Sequence, residues 1–233
     1  MRVRIYQMDN IEENKNHFMG YDFTMKHDDI GESRYKNVFY GDIEANNLED
    51  IYEKLNVGNK PPTYMGYSLS VSDVIEVVEG SDDNLNGKTF FCDDVGYRTI
   101  DFDTSKSQPM EGKRCVYITP GNKPLELKLN INEYDVLNNA VGGLIELTHP
   151  FDDEVCVVGN DEAKLIGMKG NRHIGESIYA GPILIVGDDG SEDFAELTKE
   201  QVDKYMEMFE EPEQISDEEV KSDMGISFLG FNY

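Results

Sequence analysis

Short runs of alternating hydrophobic and polar residues recur along this chain, separated by segments rich in Gly, Asn and Asp. Alternation with a period of two predicts strands whose faces differ in polarity. The N-terminal half predicts strands at residues 3–8, 35–43, 74–78, 88–92 and 97–102. The C-terminal half predicts strands at residues 114–119, 125–129, 144–148, 154–158, 163–167 and 182–187.

Two helices and one hairpin interrupt this strand pattern. Asn47 precedes apolar residues at i, i+3, i+4 and i+7, which predicts a capped helix over residues 48–55. A second helix is predicted over residues 133–141, because a pair of glycines follows it directly. The Asn86–Gly87 pair, at the end of the turn-rich run SDDNLNG, predicts a hairpin, since both residue types tolerate positive φ.

The clearest helix start in the chain lies near its C-terminal end. Thr198 and Gln201 have the spacing of a capping box, in which each side chain bonds the backbone of the other. The residues that follow include an apolar stripe formed by Val202, Tyr205 and Phe209 together with Met206. We expect this stripe to pack on a sheet rather than to bind a cofactor.

The polar segment at residues 104–113 divides the pattern into two halves. The sequence predicts an α+β protein of two small domains, at residues 1–104 and 113–212. Each is expected to be a mainly antiparallel sheet with one or two short helices. Residues 213–233 are predicted to form a short acidic helix, started by Ser216 and Glu219, and an aromatic C-terminal tail.

Charge is the strongest feature of the composition. The chain holds 21 Lys and Arg against 47 Asp and Glu, a net charge of −26. Residues 1–110 contribute −10 of this charge and residues 111–233 contribute −16, so both halves are acidic. Such a surface repels the phosphates of nucleic acids and anionic membranes, so direct nucleic-acid or membrane binding is disfavoured. A protein partner with a basic surface is expected instead.

Cysteine usage and the N-terminal segment indicate a cytoplasmic protein. The three cysteines, Cys92, Cys115 and Cys156, are far apart and form no C-x-x-C pair, which is typical of a reducing compartment. We expect them to be buried as small apolar residues. The first residues have no signal-peptide-like apolar run, and no later run reaches 18 apolar residues.

The N-terminal half carries motifs of a known family. The run GYSLSVSDVIEVV at residues 66–78 is followed by FFCDDVGYRTIDF at residues 90–102. An opening strand RVRIYQM and a helix LEDIYEKLNVG precede them. Over residues 2–103 this half resembles the YodL-like domain, although Cys92 stands where that family commonly has an apolar residue.

The C-terminal half resembles a second, uncharacterised family over residues 114–210. The matching runs are VGGLIELTHPFDDEVCVVGNDEAKLIGMKGNRHI, GPILIVGDD and EDFAELTKEQVDKYMEMF. Both resemblances imply a gene carried on mobile genetic elements of Gram-positive bacteria, where neighbouring genes serve transfer or anti-restriction. Neither resemblance supplies catalytic residues, so the sequence predicts no catalytic site.

Two clusters have the composition of metal sites. Asp82, Asn84, Asn86, Gly87 and Asp93 have the spacing of an EF-hand loop, but strands rather than helices flank them, so a hairpin turn is the simpler interpretation. The run HPFDDEV brings His149 close in sequence to Asp152, Asp153 and Glu154, which are expected to be solvated turn residues. The sequence therefore predicts no metal and no cofactor.

Nucleophilic catalysis has little support. Ser68, Ser70 and Ser72 lie in the YodL-like motif without a G-x-S-x-G elbow, and such Ser and Asp side chains more often fix a turn before a strand. A non-enzymatic protein is therefore expected. An enzyme whose pocket brings together His149 and Cys156 stays open as an alternative.

The segment from Asp188 to Asp223 holds 15 Asp and Glu against 3 Lys. A solvated helix face explains this acidity simply. A sharper hypothesis is that the carboxylates imitate DNA phosphates and that the protein inhibits a host defence protein. A structural or regulatory adaptor of transfer machinery is the alternative. The candidate interaction surface comprises Asp188, Asp189, Glu192, Asp193, Glu196, Glu200, Asp203, Glu207, Glu210, Glu211, Phe228, Phe231 and Tyr233.

Overall fold

A computed structural model describes residues 1–8, 15–27, 29–58 and 60–224 of the chain. The chain divides into two compact units, Met1–Met110 and Glu111–Tyr233. Each unit contains a five-stranded antiparallel sheet with a few short helices, which confirms the predicted α+β class. No helix within the described ranges is long and apolar enough to cross a bilayer.

The first unit is built on a sheet with the strand order β2-β1-β3-β4-β5. Every neighbouring pair in this sheet is antiparallel. Its strands are β1 (Arg2–Met8), β2 (Tyr35–Asp42), β3 (Val74–Glu79), β4 (Lys88–Cys92) and β5 (Tyr97–Ile100). Its helices are α1 (Tyr21–His27) and α2 (Leu48–Asn56).

Helix α2 closes the main core of this unit. Asn47 caps the helix as predicted, because its side chain accepts a hydrogen bond from the Asp50 backbone N–H at 2.9 Å. Leu48, Ile51 and Leu55 face inward and belong to the same buried cluster as residues from β1, β2 and β3. The i, i+3, i+7 spacing of these three residues explains why one face of the helix is covered.

The second unit holds the sheet order β7-β6-β12-β9-β8 and a separate hairpin of β10 and β11. Its strands are β6 (Lys113–Ile118), β7 (Leu125–Leu129), β8 (Ile145–Thr148), β9 (Val155–Asn160), β10 (Gly170–Ile174), β11 (Ser177–Ala180) and β12 (Ile183–Gly187). Its helices are α3 (Tyr134–Val141), α4 (Lys199–Met208) and α5 (Asp217–Asp223).

Helix α4 covers one face of the second sheet. Thr198 and Gln201 form the predicted capping box, with both reciprocal hydrogen bonds present. Val202, Tyr205 and Phe209 are buried in one cluster with residues of β6, β9 and β12. The predicted packing of this stripe on a sheet is therefore confirmed.

Helix α5 packs on the small hairpin of the same unit. Ser216 and Glu219 form a second capping box at its start. Its Val220 side chain is buried in a cluster with Ala163, Ile178 and Ala180. The structure thus joins the short helix to the body of the second unit.

Strand β10 is polar in sequence and was not predicted. Its Arg172 is almost fully buried, and the guanidinium donates to three backbone carbonyls. Nη2 of Arg172 lies 2.8 Å from the backbone oxygen of Asn122 and 3.1 Å from the backbone oxygen of Phe209, which is the C-cap residue of α4. A buried arginine that bonds backbone carbonyls thus connects β10 to the end of α4.

One predicted strand is absent, and one predicted hairpin is present. Residues 163–167 form successive turns rather than a strand, because only Ala163 is buried while Leu165 and Ile166 are mainly exposed. The hairpin predicted at Asn86–Gly87 is confirmed, because β3 and β4 pair antiparallel with Val77 opposite Lys88. Gly87 alone takes a positive φ there, of 67°, whereas the Asn86 side chain bonds the Gly80 carbonyl.

Candidate interaction surface

The predicted acidic residues lie in two consecutive segments of the second unit. The first is the loop that follows β12, and the second runs from Glu196 through α4 to Glu211. Nine of the ten carboxylates are exposed, and only Asp188 is half-buried. We call these ten residues the acidic surface. The predicted tail residues Phe228, Phe231 and Tyr233 lie outside the described residues.

The periodicity of α4 explains why it presents acids outward. Successive helical residues are rotated by about 100°, so the face opposite the buried stripe contains Glu200, Asp203 and Glu207. All three are exposed. Lys204 lies on the same face, where its Nζ reaches Oδ2 of Asp153 at 2.7 Å. The outer face of α4 therefore carries charges of both signs, most of them negative.

The loop after β12 is fixed by its own hydrogen bonds. Oδ1 of Asp188 accepts from the Gly190 backbone N–H at 3.1 Å, and Oδ1 of Asp189 accepts from that of Ser191 at 3.0 Å. Ala195 then pairs with Gly187, which closes the loop at its base. These bonds hold the loop carboxylates in a defined position next to α4.

Four carboxylates of the acidic surface contact a basic side chain. Asp188 contacts His149 at 2.7 Å, Glu196 contacts Arg114 at 3.0 Å, Asp203 contacts Lys199 at 3.0 Å, and Glu210 contacts Lys123 at 3.6 Å. The other six have no basic group within 4 Å among the residues that the structure describes. They are Asp189, Glu192, Asp193, Glu200, Glu207 and Glu211.

Local bonds favour the ionised form of several of these groups. The hydrogen bond from Arg114 lowers the pKa of the Glu196 carboxyl, and the bonds from Ser191 lower that of Asp189. The hydrogen bond from His149 likewise lowers the pKa of Asp188. These carboxylates therefore stay charged at neutral pH.

The calcium-like loop of the first unit does not form a site. Asp82 accepts hydrogen bonds from Asn84 at one end of β4, whereas Asp93 lies at the other end and accepts from Tyr21 and Arg98. The five residues of β4 separate these ends by about 16 Å, at roughly 3.3 Å per residue. The simpler interpretation, a polar hairpin turn, agrees with this geometry.

The acids that follow His149 in sequence do not gather around it. Asp153 instead bonds Lys204 and the hydroxyl of Tyr205, at 2.7 and 3.0 Å. His149 turns toward Asp188, and Cys156 lies in the same cluster. Burial, with the Asp188 charge second, raises the pKa of the Cys156 thiol to about 12, so this thiol is not an activated nucleophile.

All three cysteines are buried and free, as the sequence predicted. A cavity of about 370 Å³ lies in the second unit beside the turn at residues 161–167. Thr148 and Tyr179 line it and share a hydrogen bond of 2.6 Å, while Lys164 is paired with Asp223. This cavity therefore presents hydroxyls and an already neutralised ammonium group.

A buried polar network that the sequence analysis did not predict lies around the run at residues 66–78. Asp73 is fully buried, and its carboxylate accepts from Gln7 at 2.8 Å, the Ser70 backbone at 2.7 Å and the Tyr67 hydroxyl at 3.2 Å. The Tyr67 hydroxyl also lies 2.8 Å from Nε2 of His17. Burial raises the pKa of Asp73 to about 7, against the opposing effect of the three hydrogen bonds.

The centre of this network, at Gln7 and Asp73, is closed to solvent, which indicates a structural role. Gln7, Asp73 and Ser72 are at most 1% exposed. Ser72 has a φ of 76°, unusual for a residue with a side chain, and its hydroxyl accepts from the Phe18 backbone at 3.0 Å. The Ser and Asp side chains thus fix the turn before β3, as the sequence predicted.

The family comparisons agree with the two-domain organisation. Residues 2–102 match the YodL-like domain, and residues 113–210 match a domain of unknown function (DUF3846). The two resemblances seen in the sequence, in that order, are therefore confirmed. Neither the curated proteins nor the solved structures gave a match.

Proposed function

We propose that this chain, which matches the YodL-like domain in its first half and DUF3846 in its second half, acts without catalysis through protein–protein contact. We also propose that the acidic surface binds a partner with a basic surface. The observation that carries the proposal is the set of six exposed carboxylates without a basic neighbour among the described residues. Such groups keep their hydration and charge until a partner supplies the counter-charge. Electrostatic attraction of this kind speeds association and selects the partner.

The rigid support of the acidic surface strengthens this proposal. Helix α4 is fixed by its capping box and by a buried stripe, and the preceding loop is fixed by turn hydrogen bonds. Carboxylates on such a support lose little conformational freedom when they are bound. Less of the interaction energy is then spent on ordering the surface.

The most specific form of the proposal is an inhibitor that occupies the phosphate sites of a DNA-binding defence protein. Glu200, Asp203 and Glu207 span about 10 Å of helix axis, or roughly one charge per 5 Å. One DNA strand carries a phosphate about every 3.4 Å of axis. Helix α4 alone is therefore too sparse, and the loop carboxylates Glu192 and Asp193 must take part.

The two domain resemblances support a role as an accessory protein of a mobile genetic element. A protein encoded on such an element benefits from blocking host enzymes that recognise incoming DNA. An inhibitor of this kind needs no catalytic residues, because it works by occupying a surface. The proposal therefore fits a chain for which the sequence predicts no cofactor.

The test is a tagged pull-down from host lysate at low and then high salt, read by mass spectrometry. The variant Glu192→Gln/Asp193→Asn/Glu200→Gln/Glu207→Gln/Glu211→Gln removes five charges from the acidic surface. The control Glu53→Gln/Glu79→Gln/Asp83→Asn/Asp94→Asn/Asp101→Asn removes five exposed charges from the first unit. Both variants therefore have the same net charge.

We expect the wild type and the control to capture the same basic DNA-binding protein and the first variant to lose it. High salt should release the captured protein, because it screens charges at a solvated interface. Equal loss by both variants would show attraction by net charge alone and contradict the proposed surface. Salt-resistant capture of a partner that does not bind DNA would favour the adaptor function instead.

A further inference from the structure

Three side chains with metal-ligating atoms converge on the second sheet. One ligand atom from each of His149, Cys156 and Asp188 lies within 4.8 Å of the other two. The closest pair is Nε2 of His149 and Oδ2 of Asp188, at 2.7 Å. This is the one such group of three or more found among the described residues.

Strand register brings the three residues together. In the β8–β9 pair Thr148 lies opposite Val157, so the next position places His149 beside Cys156. In the β12–β9 pair Val186 lies opposite Cys156, and Asp188 follows two residues later. Because side chains alternate along a strand, Val186 and Asp188 share the face of Cys156.

That face is the one opposite α4. Val155 and Val157, the neighbours of Cys156 along β9, pack in the cluster that contains the stripe of α4. Cys156 therefore points to the other side of the sheet, at the end where β8 and β12 finish. Three adjacent strands thus direct one thiol, one imidazole and one carboxylate to a common point.

We propose that His149, Cys156 and Asp188 form a binding site for a zinc-class divalent ion. The Cys156 thiolate, the His149 imidazole and the Asp188 carboxylate would occupy three positions of a tetrahedron, and water would occupy the fourth. The Cys156 thiol releases its proton to solvent when the ion binds. The thiolate selects zinc or cobalt over calcium and magnesium, which prefer oxygen ligands.

Small movements bring the donor atoms to coordination distance. Ligand atoms bound at about 2.0–2.3 Å in a tetrahedron lie roughly 3.3–3.6 Å apart. Nε2 of His149 and Oδ2 of Asp188, now 2.7 Å apart, must separate by less than about 1 Å. No two ligand atoms are more than 4.8 Å apart, so the most distant pair must approach by about 1.3 Å at most. The His149 side chain is 58% exposed just after β8, so it is free to make this adjustment and to admit an ion from solvent.

The carboxylate is already oriented for this role. Oδ1 of Asp188 is held by the Gly190 backbone N–H, which leaves Oδ2 directed at the cluster. The Asp188 backbone N–H donates to the Glu154 carbonyl at 2.9 Å and ties the residue to the start of β9. Outer hydrogen bonds of this kind orient ligands in metal sites.

The chain offers matched controls for two of the three ligands, the imidazole and the thiol. His173 is also exposed, and its Nδ1 contacts Oε2 of Glu213 at 2.5 Å, but it belongs to no three-ligand group within the described part of the chain. Cys115 is a buried cysteine of the same sheet whose Sγ bonds the Leu127 carbonyl. His173→Gln and Cys115→Ser therefore test for nonspecific effects of losing an imidazole or a thiol.

The test is a titration of the full chain with Co²⁺, followed by its visible and near-ultraviolet absorbance. We expect one equivalent to bind with a thiolate-to-cobalt charge-transfer band, which Zn²⁺ abolishes and Mg²⁺ leaves unchanged. Cys156→Ser should remove the band, whereas His149→Gln and Asp188→Asn should weaken binding by at least about tenfold. His173→Gln and Cys115→Ser should retain both the band and the affinity.

The proposal is overturned if the wild type develops no charge-transfer band, or if Cys156→Ser keeps it. Equal weakening by His149→Gln and His173→Gln would also overturn it, because binding would then follow surface imidazoles in general. His149→Gln changes an exposed side chain, so its result does not depend on how well the core tolerates Cys156→Ser.

Discussion

The buried carboxyl of Asp73 should make the first domain less stable as pH rises. Its ordinary pKa is 3.8, and burial raises the folded-state pKa to about 7. At pH values between 3.8 and about 7, the Asp73 carboxyl therefore keeps its proton in the folded state and loses it in the unfolded state. A group of this kind contributes stability that is fully present below the unfolded pKa and is lost as pH rises through the folded pKa.

The size of the effect follows from the difference between the two pKa values. A shift of about three units corresponds to roughly 4 kcal/mol in total, at about 1.36 kcal/mol per unit. Between about pH 5 and about pH 8 the free energy of unfolding should fall by about 2.5 kcal/mol. The rest of the total is lost below about pH 5, where the unfolded state begins to release the proton. Asp73→Asn removes the ionisation and should remove this slope.

The assay is urea unfolding at several pH values, followed by resolved amide NMR signals from β1 and β3. Signals from these strands report the first domain alone, which matters because two domains need not unfold together. The quantity of interest is the wild-type free energy of unfolding minus that of Asp73→Asn. Other titrating groups occur in both proteins, so most of their contributions cancel.

A second variant provides a contrast of opposite sign. Burial lowers the pKa of His17, so its contribution to stability is present above the unfolded pKa and is lost as pH falls. The wild-type free energy minus that of His17→Gln should therefore rise with pH, whereas the difference for Asp73→Asn should fall. Parallel curves for wild type and Asp73→Asn would refute the inference that Asp73 is protonated in the folded domain.

Two further predictions concern the second domain. Thr198→Ala removes the capping hydrogen bond to Gln201 and should lower the free energy of unfolding by about 1 kcal/mol, measured by urea unfolding of β12 amides; no change would mean that the cap is redundant. Gly112→Ala should lower the free energy of unfolding by at least about 2 kcal/mol in the same assay. Gly112 has a φ of 115°, and an added Cβ would overlap the Leu129 backbone; a loss under about 0.5 kcal/mol would contradict this.

Periodicity and capping signals were sufficient to predict most of the fold. Helix α4 was predicted because its apolar stripe and its Thr198 cap agree. Strand β10 was missed because its buried side chains, Asn171 and Arg172, are polar, and burial of such residues depends on tertiary hydrogen bonds. Residues 163–167 were wrongly predicted to be a strand, since a short apolar run can also form an exposed turn.

The sites were harder to predict than the elements. Asp188 belongs to the acidic segment in sequence, but in the structure it lies beside His149 and Cys156, which come from other strands. Such a meeting depends on strand order and register, which the local hydrophobic pattern of each strand does not reveal by itself. The sequence likewise did not predict the burial of Asp73, because a run rich in Ser and Asp usually indicates an exposed turn.

The buried guanidinium of Arg172 has a consequence for how this protein can vary over evolution. It holds the end of α4 through the Phe209 carbonyl, and any residue at position 209 would supply that same backbone oxygen. The outer carboxylates of α4 take no part in this attachment, and substitutions of exposed residues usually change stability by less than about 0.5 kcal/mol. The outer face can thus accept substitutions while the helix stays in place, a property that the proposed partner-binding surface requires.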